Sequence, residues 1–132
     1  MKPIEILVVV MYLSFVLLLT TSHFNNIISE RKAIVNYLER FYIGRFVIKT
    51  LTENVTFTSG ICNLSENFTK IFDEDTYLSF LSNNNIKIPI KISAQYLNGT
   101  VIGNIGGTGK NIIEFRRVCN YRGQMVIVKV LV

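Results

Sequence analysis

The chain has 132 residues, a formal net charge of +5 and 49% apolar residues against 17% charged, with a mean hydropathy of +0.36. That length fits one domain of ordinary size and excludes a multidomain machine. One histidine, two cysteines and no tryptophan argue against a zinc site, an iron–sulfur cluster or a His-rich metal tract.

Residues 1–22 hold 15 of the 65 apolar residues. The run from Ile4 to Leu19 carries one charge, Glu5, and Ile6–Leu19 is broken only by Ser14 and the semi-polar Tyr12. Spanning a ~30 Å hydrocarbon core takes about 20 helical residues. The stretch from Pro3 to His23 meets that length, with Glu5 and Thr20-Thr21-Ser22 near the two interfaces. A dozen or so Leu, Ile, Val and Phe residues at roughly −0.5 kcal/mol each outweigh one peripheral carboxylate. Residues 1–23 are therefore predicted to be a transmembrane or filament-core helix. A cleaved signal peptide and a core helix of a larger protein remain alternatives. Lys2 precedes the run and His23, Arg31 and Lys32 follow it, so charge bias gives no clean orientation.

Residues 24–48 change period. Phe24, Ile27/Ile28, Ile34/Val35, Leu38, Phe41/Tyr42 and Phe46 recur every three to four positions, with Glu30, Arg31, Lys32, Asn36, Glu39 and Arg40 between them. That spacing predicts an amphipathic helix. No proline or glycine lies between Pro3 and Gly44, so one continuous helix of about 40 residues is expected. Its stripe is expected to pack on the chain's own globular part.

From about Thr50 the period becomes two. Val55, Phe57, Ser59 and Ile61 alternate with polar residues, and Ile86-Lys87-Ile88-Pro89-Ile90-Lys91-Ile92 is the clearest strand pattern. Pro89 cannot donate to a ladder, which places that strand at an edge or leaves it locally unpaired. Asn98-Gly99 signals a hairpin joining Ser93–Leu97 to Thr100–Ile105. Residues 112–119 and 125–132 read as strands around Tyr121-Arg122-Gly123-Gln124. The last is apolar on both faces except Lys129, so it is expected in a central position. Residues 67–82 fit a short helix or an irregular wrap. The fold class is α+β: a long N-terminal helix, then a small antiparallel sheet domain over 50–132.

Cys62 and Cys119 both fall in that sheet domain. Joined, they close a loop worth about 4 kcal/mol of chain entropy; two buried free thiols are the alternative. Four N-x-S/T sequons, at Asn54, Asn63, Asn67 and Asn98, all follow the apolar run, and outside the cell they are candidate glycan acceptors. The segment Gly103–Lys110 fails the phosphate-loop pattern. Asn104 stands where glycine is needed, and Asn111 where a Ser or Thr would hold magnesium. Asp73-Glu74-Asp75 reads as a solvated turn, because adjacent carboxylates do not converge as calcium ligands do. Arg116, Arg117 and Arg122 with Tyr121 form a small basic–aromatic patch, read as surface arginines before a nucleic-acid site. No G-x-S-x-G or S-x-x-K occurs. No cofactor, metal, nucleotide or catalytic residue is expected.

Glu5 leading an apolar half-helix, an amphipathic half-helix and a two-cysteine sheet domain together resemble the type IV pilin and pseudopilin superfamily. Ile4-Glu5-Ile6-Leu7-Val8-Val9-Val10 is similar to the start of a processed pilin. The tail from Phe115 to Val132 is similar to the end of small archaeal members. Lys2 and Pro3 depart from the usual bacterial start. Leaders in that family end in a basic run and a Gly or Ala before the cleavage point. The resemblance implies either that Met1 stands at or near a mature start or that the chain is not processed in the family's manner. It further implies a structural subunit of a surface filament, major or minor, with the membrane as its site before assembly and like or related pilin subunits as its partners. Glu5 would be the assembly residue, meeting the free amine of a neighbouring subunit, here Met1 or the true first residue. A membrane-anchored ectodomain that binds a partner without polymerising is the competing reading.

Overall fold

The computed structural model describes residues 2–132. Its first element, α1, is a helix of 51 residues, Pro3–Glu53. Pro3 occupies the first helical position, where a missing N–H costs nothing and φ is already helical. The Lys2 carbonyl accepts from the N–H groups of Glu5 (3.0 Å) and Ile6 (3.2 Å). The helix then meets no breaker for some forty residues.

The chain divides into two units, Met1–Leu38 and Glu39–Val132. In the first, every described residue is exposed, including Phe24, Ile27, Ile28, Ile34, Val35 and Leu38 of the expected stripe. The helix face that is buried belongs to the second unit: Gly44, Val47, Ile48, Leu51 and Thr52. The stripe read over 24–48 is thus buried only toward its end, and the helix runs past Ile48 to Glu53. It stops at Asn54, whose side chain takes the Thr56 N–H at 2.9 Å and whose carbonyl accepts from Phe57 and Thr58, each at 3.0 Å. The Cys62 N–H satisfies the Thr52 carbonyl at 2.9 Å, one of the acceptors a helix end leaves open.

The second unit is a six-stranded sheet in the order β1-β2-β5-β6-β3-β4. Its strands are β1 (Thr58–Gly60), β2 (Asn63–Leu64), β3 (Lys91–Tyr96), β4 (Val101–Gly106), β5 (Glu114–Tyr121) and β6 (Gln124–Leu131). All pairs are antiparallel except β2 with β5, which run parallel through Asn63↔Asn120 and Leu64↔Tyr121. The sheet is therefore mixed rather than purely antiparallel. A 3-10 helix, Glu66–Phe72, and α2, Glu74–Asn83, resolve the ambiguous 67–82 stretch as helical.

β6 lies between β5 and β3, the central position its apolar sequence requires. Val126, Val128 and Val130 are fully buried on one face. They meet a core of Val47 and Leu51 from α1, Ile90 and Ile92, and Phe68 and Ile71. The β5–β6 turn places Arg122 and Gly123 at φ 51° and 77°, the left-handed pair of a tight hairpin. The Asn98-Gly99 hairpin joins β3 to β4 with Gly99 at φ 91°.

Two strand expectations shorten. The 55–61 alternation yields only β1. Phe57 is buried, but Val55, in the turn after α1, and Ile61, in the turn between β1 and β2, are exposed; the ladder itself shifts register between Thr58 and Gly60, and Cys62 sits at φ 54°. In 86–92 the isoleucines do face inward, with Ile86, Ile90 and Ile92 buried. Pairing nevertheless starts only at Lys91. Pro89 supplies no donor, so the preceding residues pack without a ladder.

Candidate functional site

The apolar part of α1 is long and apolar enough to cross a membrane, and the most apolar 18-residue window has no buried residue. Three of its aliphatic hydroxyls are satisfied inside the helix. Ser14, Thr20 and Thr21 donate to the carbonyls of Val10, Val16 and Leu17, each at 2.8 Å. In hydrocarbon an unbonded hydroxyl is costly, and this back-bonding removes the cost. His23 lies exposed beyond the run.

Glu5 is exposed in the first turn of α1. Its Oε2 accepts from the Lys2 backbone N–H at 3.2 Å, so Glu5 makes the N3 half of a capping box and complements the positive helix end. This local role was missed in the sequence; the signal was the spacing of three between Lys2 and Glu5 with proline between. Met1, the expected source of the partner amine, lies outside the described residues.

Cys62 and Cys119 form a disulfide that spans 57 residues of sequence. It ties the segment after β1 to β5, beside the short parallel pairing. The four sequon asparagines are all exposed but differ locally. Asn54 and Asn98 lie in turns, where their Oδ1 atoms accept from Thr56 and Thr100 N–H groups at 2.9 Å. Asn63 lies in β2 and Asn67 in the 3-10 helix.

The basic patch does not assemble. Arg116 and Arg117 are neighbours in β5 and so point to opposite faces. Arg116 binds Glu114 at 2.8 and 3.1 Å, which lowers the Glu114 pKa chiefly through that hydrogen bond. Arg117 reaches Glu53 at 2.8 Å and the buried Thr52 hydroxyl at 3.0 Å. Arg122 stacks over Tyr121 at 5.2 Å and contacts Glu66 at 3.4 Å. The acidic run starts α2: Asp73 caps it through Thr76, and Glu74 and Asp75 fill its first turn, where carboxylates are favoured.

Two glycines of the 103–109 stretch, Gly103 and Gly106, have packing roles. A Cβ on Gly103 would strike the Phe72 ring, and one on Gly106, at φ 87°, would strike the Ile90 carbonyl and the Tyr77 hydroxyl. Arg40, read in the sequence only as part of the polar face of 24–48, donates to the carbonyls of Asn111 and Val132, the latter at 2.6 Å. An open pocket of about 290 Å³ includes Thr50, Asn54, Phe57, Thr76 and Ser79, and no titratable group lines it. Among the described residues no cluster of three metal-ligating side chains occurs.

No protein-family model, no curated protein and no solved structure matches this chain.

Proposed function

We propose that the chain is a structural subunit of a type IV pilus-like surface filament, held first in the membrane and then in the filament core by the apolar part of α1. The observation that carries this reading is a helix of 51 residues whose apolar half is exposed and whose only charge within that half is Glu5. Exposed apolar area of that length needs lipid or other helices around it. A charge among apolar helices is retained where it is paired, and a filament of like helices brings such a partner. The disulfide-tied sheet unit suits the outer surface of such a filament, where the environment is oxidising. The resemblance of Ile4–Val10 to a processed pilin start supports the same assignment.

Immunogold labelling of filaments sheared from the cell surface tests it. The expected result is label repeating along filaments. Label confined to the cell envelope, with none on filaments, favours the non-polymerising membrane anchor instead.

A further inference from the structure

The four sequons are equivalent as motifs and are not equivalent as structures. N-glycan transfer needs the asparagine Nδ2 and a Ser or Thr hydroxyl two residues on, both presented on an accessible turn. At Asn54, Oδ1 accepts from the Thr56 N–H at 2.9 Å; at Asn98, Oδ1 accepts from the Thr100 N–H at 2.9 Å. A backbone N–H can only donate, so these bonds fix the carbonyl end of each amide and leave Nδ2 free. Both are Asx-turns, which fold the sequon threonine back beside its asparagine. Asn54, Thr56, Asn98 and Thr100 are all exposed, and neither threonine hydroxyl has a hydrogen bond among the described residues.

The other two sequons lack that arrangement. Asn63 is held in β2 with its Nδ2 donating to the Ser59 hydroxyl at 2.9 Å, and its sequon hydroxyl, Ser65 Oγ, is buried. Asn67 sits in the 3-10 helix, and its sequon hydroxyl, Thr69 Oγ1, donates to the Glu66 carbonyl at 2.9 Å.

We propose that Asn54 and Asn98 are the N-glycan acceptors of this chain and that Asn63 and Asn67 are not. The donor is a polyprenyl-phosphate-linked oligosaccharide. The bond from the sugar C1 to the phosphate oxygen breaks, the phosphate leaves with the electron pair, a C1–Nδ2 bond forms, and the proton given up by the amide passes to solvent. The inference rests on the sheet unit lying outside the cell, as the filament reading requires.

The test is site-resolved mass spectrometry of the full chain from native membranes or filaments, together with protease treatment of intact cells. Glycan is expected at 54 and 98 only. The Asn54→Gln/Asn98→Gln double variant should lose all glycan mass, and Asn63→Gln/Asn67→Gln should lose none. Thr56→Val and Thr100→Val keep the turn N–H yet should each remove one glycan, which separates acceptor loss from turn loss. Glycan at 63 or 67 overturns the proposal. So does a bare chain. A bare chain with the sheet unit accessible to external protease leaves the surface reading standing, whereas a bare, protected unit overturns both.

Discussion

Burial pushes the Tyr77 phenol above its ordinary value of 10.0, while its hydroxyl donates to the Ile90 carbonyl at 2.5 Å. A raised folded value means that the folded state holds the proton more tightly than the unfolded one. The stability is therefore complete below pH 10 and is lost as pH rises from there through the folded value. Alkaline titration of unfolding should show that loss, and Tyr77→Phe should abolish its tyrosine-specific part. The same variant leaves the Ile90 carbonyl without its donor and should cost about 1–3 kcal/mol near neutral pH, read by denaturant unfolding in detergent. The disulfide acts at this scale too. Cys62→Ser/Cys119→Ser should lower stability by about 4 kcal/mol on the chain-entropy estimate for a loop of this length. By contrast, the exposed Arg116–Glu114 pair contributes little, as surface ion pairs do.

At the scale of elements, β6 and the face of α1 that ends at Thr52 carry the packing. Leu51 is fully buried in the core, so Leu51→Ala should cost about 2–5 kcal/mol, whereas truncating an exposed apolar residue such as Ile34 should leave the sheet's unfolding unchanged. Gly103→Ala drives a methyl into the Phe72 ring and should cost about 1–3 kcal/mol; both are measured by thermal melts of the purified chain. The helix, both hairpins and the central place of β6 were legible because each rests on a local pattern: a run without breakers, Asn-Gly, Arg-Gly, and a doubly apolar strand. The end of α1 was not legible, since Thr50 to Glu53 suit helix or strand and the stop depends on Asn54 and on Cys62 reaching back to Thr52. The parallel β2–β5 pairing was hidden as well, because two residues carry no period. Ile86–Ile90 showed the right alternation without a ladder, because facing inward and pairing are separate requirements.

At the scale of the whole molecule, the apolar excess is concentrated at the start. After residue 22, 50 of 110 residues are apolar, ordinary for a folded domain, and the buried core is drawn from that part alone. Glu5 was legible as an oddity in an apolar run, but its bond to the Lys2 N–H gives it a capping role that a sequence pattern did not separate from assembly. The capping role and the proposed assembly role respond differently to substitution. Glutamine at the N3 position still reaches the Lys2 N–H but carries no charge, so Glu5→Gln isolates the electrostatic role. The measurement that bears most directly on the filament reading is the share of this chain recovered in sheared filaments, relative to membranes, for Glu5→Gln and for the unaltered protein. The account predicts that the unaltered chain enters the filament fraction while Glu5→Gln accumulates in the membrane with its disulfide formed. Equal incorporation of the two would contradict it.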